Sequence, residues 1–207
     1  MLIDNNHEGS ASRVAAGLIN PITGHRFNLT HNFAEHNEAA RAVYERITSL
    51  LGKPFYRAVE QFRLIKNAGQ AHYFETRLDD PLYAPYLARA DHHGILGSKS
   101  LYGVAEIFES AVVDAAALLT SIKQYLHSRE SIVQGKLDYS QIGFNDRLVE
   151  YQGIRAKRIV FCEGHQALHN PWLSALPFKL AKGEVLTVTD TTNKPFAGLL
   201  NWGNWLV

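Results

Sequence analysis

One cysteine, Cys162, stands among 207 residues. No internal disulfide can form, and a reducing compartment is expected. No apolar run approaches the roughly 18 residues of a membrane span. The opening stretch, Met1-Leu2-Ile3-Asp4-Asn5-Asn6, has neither the basic nor the apolar segment of a secretory leader. The expected location is therefore cytoplasmic, with no membrane partner. Charge of one sign is also missing: 21 Lys and Arg against 20 Asp and Glu leave a net +1. That balance argues against a nucleic-acid surface or an acidic partner. Repeats and low-complexity tracts are absent, and the pattern G-x-G-x-x-G occurs nowhere. What remains is ordinary for a folded globular chain, 46% hydrophobic and 20% charged, and long enough to bury a core.

Periodicity supplies the elements. Asn32 to Leu51 reads as a helix, with Asn32 and Glu35 as a capping box, Phe33, Ala40, Val43, Ile47 and Leu50 on one face, and Gly52 and Pro54 as the stop. Phe55 to Lys66 reads as strand and Gln70 to Leu78 as a short helix. Pro81 to Gly97, which contains His92-His93, reads as loop. Ser100 to Val113 gives one or two strands. Asp114 caps a second helix, in which Leu118, Leu119, Ile122, Tyr125 and Leu126 recur at helical spacing. Short strands are expected at Ile132-Val133, Leu137 to Tyr139 and Leu148 to Tyr151. Ile159-Val160-Phe161-Cys162 is a continuous apolar run, as in a strand buried on both faces of a parallel sheet. Lys182 to Thr189 and Gly198 to Val207 add two more strands. The class is α+β (α/β).

The densest cluster of signals is at the N-terminus. Leu2-Ile3-Asp4 is a short apolar run ending in a carboxylate. It is followed by Ser10-Ala11-Ser12-Arg13-Val14-Ala15-Ala16-Gly17-Leu18-Ile19-Asn20-Pro21-Ile22-Thr23-Gly24-His25-Arg26. Small residues in such a turn let backbone N–H groups approach an anionic ligand. This order resembles the flavin-contacting region of FAD-dependent oxidoreductases of the D-amino-acid oxidase and glycine oxidase family. Four further segments resemble that family in the same order: Val112-Val113-Asp114 with its helix, the strand near Leu137, Ile159 to Gly164, and Pro177 to Glu184.

The resemblance implies a partial Rossmann-like FAD-binding domain over 1–50 and 112–170. A mixed, antiparallel-sheet substrate domain is implied over 51–111 and 171–207. It also implies that Asp4 accepts from the adenosine ribose, and that Ser10, Ser12, Arg13, Ala16, Gly17 and Leu18 pass the pyrophosphate and flavin, Gly17 most closely. Leu137 is implied at the adenine, and Cys162, Glu163 and Gly164 where the chain crosses the dinucleotide again. Asn20 to Arg26 would then lie nearest the flavin ring, with no catalytic role assigned to His25 or Arg26. The chain departs from the family in lacking the glycine-rich phosphate loop and the C-terminal strands that clamp the substrate carboxylate. It reads as most of such an enzyme without those two parts.

The function implied is oxidation of an amine or amino acid by hydride transfer to flavin, with the cofactor carrying the chemistry. Alternatives are a non-catalytic fragment that binds no cofactor, and the oxidoreductase domain of a tRNA-modification enzyme, which a net charge of +1 does not favour. His165 and His169 have zinc-helix spacing, but Gln166 stands where a metalloprotease has its glutamate base, and no metal is expected. Cys162 beside His165 invites a thiol-nucleophile reading, whereas a cysteine ending an apolar strand is more often buried and inert. Trp202 and Trp205 read as cover for a sheet face.

Overall fold

A computed structural model of the chain describes residues 1–6, 9–90, 102–145, 147–187, 189 and 198–207. In chain order come β1 (Leu2–Asp4), α1 (Ala11–Val14), β2 (Leu18–Ile19), the hairpin β3 (Ile22–Thr23) and β4 (Asn28–Leu29), and α2 (Phe33–Leu51). Next are β5 (Tyr56–Ala58), β6 (Gln61–Ile65), α3 (Ala68–Leu78), β7 (Leu87–Arg89), β8 (Gly103–Ile107) and β9 (Ala111–Val113). α4 (Ala115–Ser128) leads to β10 (Ile132–Gln134) and the meander β11 (Gly143–Asn145), β12 (Leu148–Tyr151) and β13 (Ile154–Ala156). β14 (Leu199–Asn201) and β15 (Trp205–Leu206) follow. The mixed α and β content agrees with the class read from the sequence.

Packing divides the chain into two compact units, Met1–Val14 with Leu119–Leu186, and Ala15–Leu118 with Thr187–Val207. These bounds differ from the functional division expected above, which concerns what each part binds.

The second unit holds the hydrophobic core. Its five-stranded sheet has the order β15-β14-β6-β8-β7, with β14 parallel to β6 and the other pairs antiparallel. Alternation along β6 serves both faces. Ile65, with Ala105, Ile107 and Leu87, packs against Ile22, Phe27, Phe74 and Tyr83. On the other face Leu64 packs with Val104, Ala90 and Leu200. Arg63 shares the first face: the residue is 8% exposed, and its guanidinium lies 4.2 Å from the Phe27 ring centre and donates to Gly24 O at 2.7 Å. Burial pulls its pKa below the usual arginine value. A smaller sheet, β2-β9-β5, runs antiparallel throughout.

Several local expectations need correction here. Asn32 does precede α2, but at φ 49° its side chain makes no cap bond, so the capping box does not form. Of the expected α2 stripe Phe33 is buried and Ala40 and Ile47 are half-buried, but Val43 and Leu50 are exposed, and Asn37 is buried instead. The strand expected over Phe55–Lys66 is two, broken at Val59 and Glu60, and β7 forms inside the expected loop. His92 and His93 lie outside the described residues. α3 and α4 start as their caps dictate: Gln70 N donates to Asn67 Oδ1 at 2.9 Å and Ala117 N to Asp114 Oδ1 at 2.9 Å.

The first unit contains the parallel pair β1–β10 and the β11-β12-β13 meander. Leu137 to Tyr139 is not a strand. Asp138 accepts from Ser140 N and starts a 3₁₀ turn over Tyr139–Gln141. Ile159 to Cys162 is not a strand either. Among the described residues β1 and β10 pair only with each other and no ladder reaches the segment; Val160 is 78% exposed and Cys162 is exposed. Residues 182–187 are likewise without strand pairing.

Candidate functional site

β1 is three residues long, and its register on β10 is Leu2↔Ile132, Ile3↔Val133 and Asp4↔Gln134. Leu2 N donates to Ser131 O at 2.8 Å and Gly135 N to Asp4 O at 3.1 Å, closing the pair at both ends. Asp4 therefore stands at the carboxyl end of one strand of a two-stranded parallel pair.

The described surroundings of Asp4 are polar. Asn6, at φ 57°, turns the chain back so that its N–H donates to Asp4 Oδ1 at 3.1 Å. Lys123, from α4, places Nζ 2.5 Å from Asp4 Oδ2 and 2.7 Å from Asn6 Oδ1. Arg13 Nη1 donates to the same Asn6 oxygen at 3.2 Å. Burial alone would raise the Asp4 pKa. The hydrogen bonds from Lys123 and Asn6, with the charges of Lys123 and Arg13, outweigh it and hold the carboxyl below its ordinary value. Asp4 is thus a fixed carboxylate. Ser10 precedes the single exposed turn α1, which contains Ser12 and is started by Arg13 N donating to Ser10 O at 3.0 Å.

Ala16, Gly17 and Leu18 belong to the other unit. Gly17 has φ +72°, and a Cβ there would stand 1.9 Å from Val113 O. Its close approach is to the backbone of β9, whose Val113 N donates to Gly17 O at 2.8 Å. Asn20 Oδ1 accepts from Ile22 N and from Gln61 Nε2, and Gln61 Oε1 accepts from Ser110 Oγ at 2.8 Å. His25 and Arg26 both lie against Tyr73.

A second grouping in the first unit centres on Glu163. Tyr139 Oη donates to its Oε1 at 2.6 Å and Asn170 Nδ2 to its Oε2 at 2.7 Å, while Trp172 N donates to Asn170 Oδ1. Asn170 is buried. Burial and the neighbouring carboxylate push the Tyr139 pKa up to about 12. Trp172 stacks on Phe161 at 5.5 Å and meets Tyr139 and Phe144 edge-on. With both oxygens engaged, Glu163 anchors its segment rather than serving as a base. Gly164 opens a 3₁₀ run to His169, and His165 Nε2 lies 2.9 Å from Gln166 Nε2. Leu137 is half-buried one residue before the Asp138 turn.

The structure therefore brings Asp4 and Arg13 together through Asn6, and Glu163 together with Tyr139. It adds Lys123, Asn6 and Asn170, which sequence reasoning missed. Lys123 gives no sequence signal, because its contact spans 117 residues to Asn6. Two recesses, one lined in part by Ala42, Arg46 and Leu50 and the other by Arg41, Tyr86 and Glu109, run along α2 and include none of the expected cofactor residues. No protein-family model matches the chain. No solved structure matches it either.

Proposed function

We propose that the protein is a flavin-dependent oxidoreductase acting on an amine, with an amino acid as the preferred substrate class and FAD as the cofactor. One observation carries the reading. Asp4 is an ionised acceptor at the carboxyl end of a parallel strand, followed by a short turn that carries Ser12 and Arg13. An acidic side chain at that place suits a ribose diol, and an exposed Ser–Arg turn suits a phosphate. The order of the segments along the chain, set out above, supplies the resemblance to amino-acid oxidases.

In this reading FAD, held by these residues, would supply the hydride acceptor for oxidation of the carbon bearing nitrogen, and water would hydrolyse the imine so formed. The chain's own residues bind and orient. Asp4 accepts from the ribose hydroxyls, Ser12 and Arg13 offer donors to the pyrophosphate, and Tyr139 and Asn170 hold Glu163 so that residues 161–164 keep one path. Adding amino acids anaerobically to the FAD-loaded protein should bleach the flavin bands and release ammonia after hydrolysis. A loaded protein that no amine or amino acid reduces would sink the substrate assignment.

A second reading is favoured by one observation: Ile159–Cys162 forms no strand, and Val160 and Cys162 are exposed. In this reading the chain as given is non-catalytic and holds no dinucleotide. A protein that stays colourless after exposure to FAD supports it.

A further inference from the structure

Lys123 does more than neutralise Asp4. Its ammonium reaches two acceptors, Asp4 Oδ2 at 2.5 Å and Asn6 Oδ1 at 2.7 Å. The Asp4 side chain is only 27% exposed and that of Lys123 35%, so the pair covers much of the carboxylate from solvent. A vicinal diol donates one O–H to each carboxylate oxygen. Oδ1 is tied to the Asn6 backbone N–H, which cannot leave without unmaking the turn after β1. Oδ2 is held by a side chain on a flexible four-carbon stem. That contact is the one that can yield.

We propose that Lys123 is a displaceable latch on Asp4: in the cofactor-free protein it covers the oxygen that a ribose diol needs, and when the diol binds it lets go of Oδ2 while keeping its bond to Asn6 Oδ1. The inference rests on the flavin reading above. Asn6 already holds the ammonium at 2.7 Å, so letting go of Asp4 loses one contact without releasing a bare cation. Arg13 donates to the same Asn6 oxygen and shares that acceptor with Lys123 throughout. Lys123 is therefore a determinant of cofactor affinity and no part of the chemical step.

The test is a fluorescence titration of FAD into the wild-type chain, Lys123→Met, Lys123→Arg and Asp4→Asn, with circular dichroism confirming that each is folded. Lys123→Gln serves if the methionine variant fails to fold. Removing a competing ion pair of this exposure should tighten FAD binding about fivefold in Lys123→Met. Lys123→Arg, which keeps the pair, should show no gain. In the Asp4→Asn background Lys123→Met should add nothing. Adenosine, followed by NMR, should show the same gain, and 2′,3′-dideoxyadenosine, which has no diol, none. FAD bound by the wild type but equally or less tightly by Lys123→Met overturns the latch and leaves the flavin reading standing. FAD bound by none of the chains overturns both.

Discussion

Gly17→Ala separates a structural need from a cofactor contact. Gly17 sits at φ +72°, and an added Cβ would meet Val113 O at 1.9 Å and Val113 C at 2.9 Å. Both of those atoms are backbone and neither can swing aside. A left-handed non-glycine residue costs roughly 1–2 kcal/mol by itself. Relieving the clash also means parting β2 from β9, where Val113 N donates to Gly17 O at 2.8 Å and Leu18 pairs with Val112. Losing one or two such bonds adds about 1 kcal/mol each, for a total of roughly 3 kcal/mol. Gly52 is the internal control: its φ is +74°, yet a Cβ there meets nothing within 4 Å. Gly52→Ala should therefore cost only about 1 kcal/mol. Urea unfolding of the three chains without FAD, followed by circular dichroism, reads both values. If Gly17→Ala is no worse than Gly52→Ala, the steric account of this position is wrong.

Other expectations follow from single contacts. Asn67→Ala removes the acceptor of Gln70 N at the start of α3 and should cost about 1 kcal/mol in the same assay. Asn32→Gly, where no cap bond exists and φ is 49°, should cost nothing, and a loss as large as that of Asn67→Ala would contradict the cap geometry. Tyr139 has its pKa raised from 10.0 to about 12 by burial and Glu163. Its share of stability is thus complete below pH 10 and disappears as pH climbs through about 12. An alkaline absorbance titration should show Tyr139→Phe missing the latest tyrosine to ionise; a missing component near 10 would refute the shift. Cys162 is exposed, so native-state iodoacetamide should label it readily, and a protected thiol would mean that residues 159–162 are covered in solution.

The helices were the most legible part of the chain because their signals are local. Asp114 caps the helix that the sequence has it cap, and Gly52 ends α2 with its N–H on Thr48 O at 2.8 Å. Strands were read less well, since a strand is defined by its neighbour and not by its own composition. Ile159–Cys162 has a buried strand's composition but no ladder partner among the described residues, whereas Leu87–Arg89 was passed over as loop and pairs with β8. At Leu137–Tyr139 a local side-chain bond won: Asp138 accepts from Ser140 N and diverts the backbone into a 3₁₀ turn. The candidate site was legible only in part for a related reason. Asp4, Ser12 and Arg13 lie close together in sequence, while Lys123 and Asn170 reach their partners through folding alone.

The central claim is that Asp4 and the turn after it hold the adenosine end of FAD. Its most direct test is the visible spectrum of the purified chain after incubation with excess FAD and desalting, run beside Asp4→Asn. The account predicts flavin bands retained by the wild-type chain and affinity weaker by about tenfold in Asp4→Asn, which loses charge-assisted bonds to the ribose. A colourless wild-type protein, or equal retention by both chains, would contradict it.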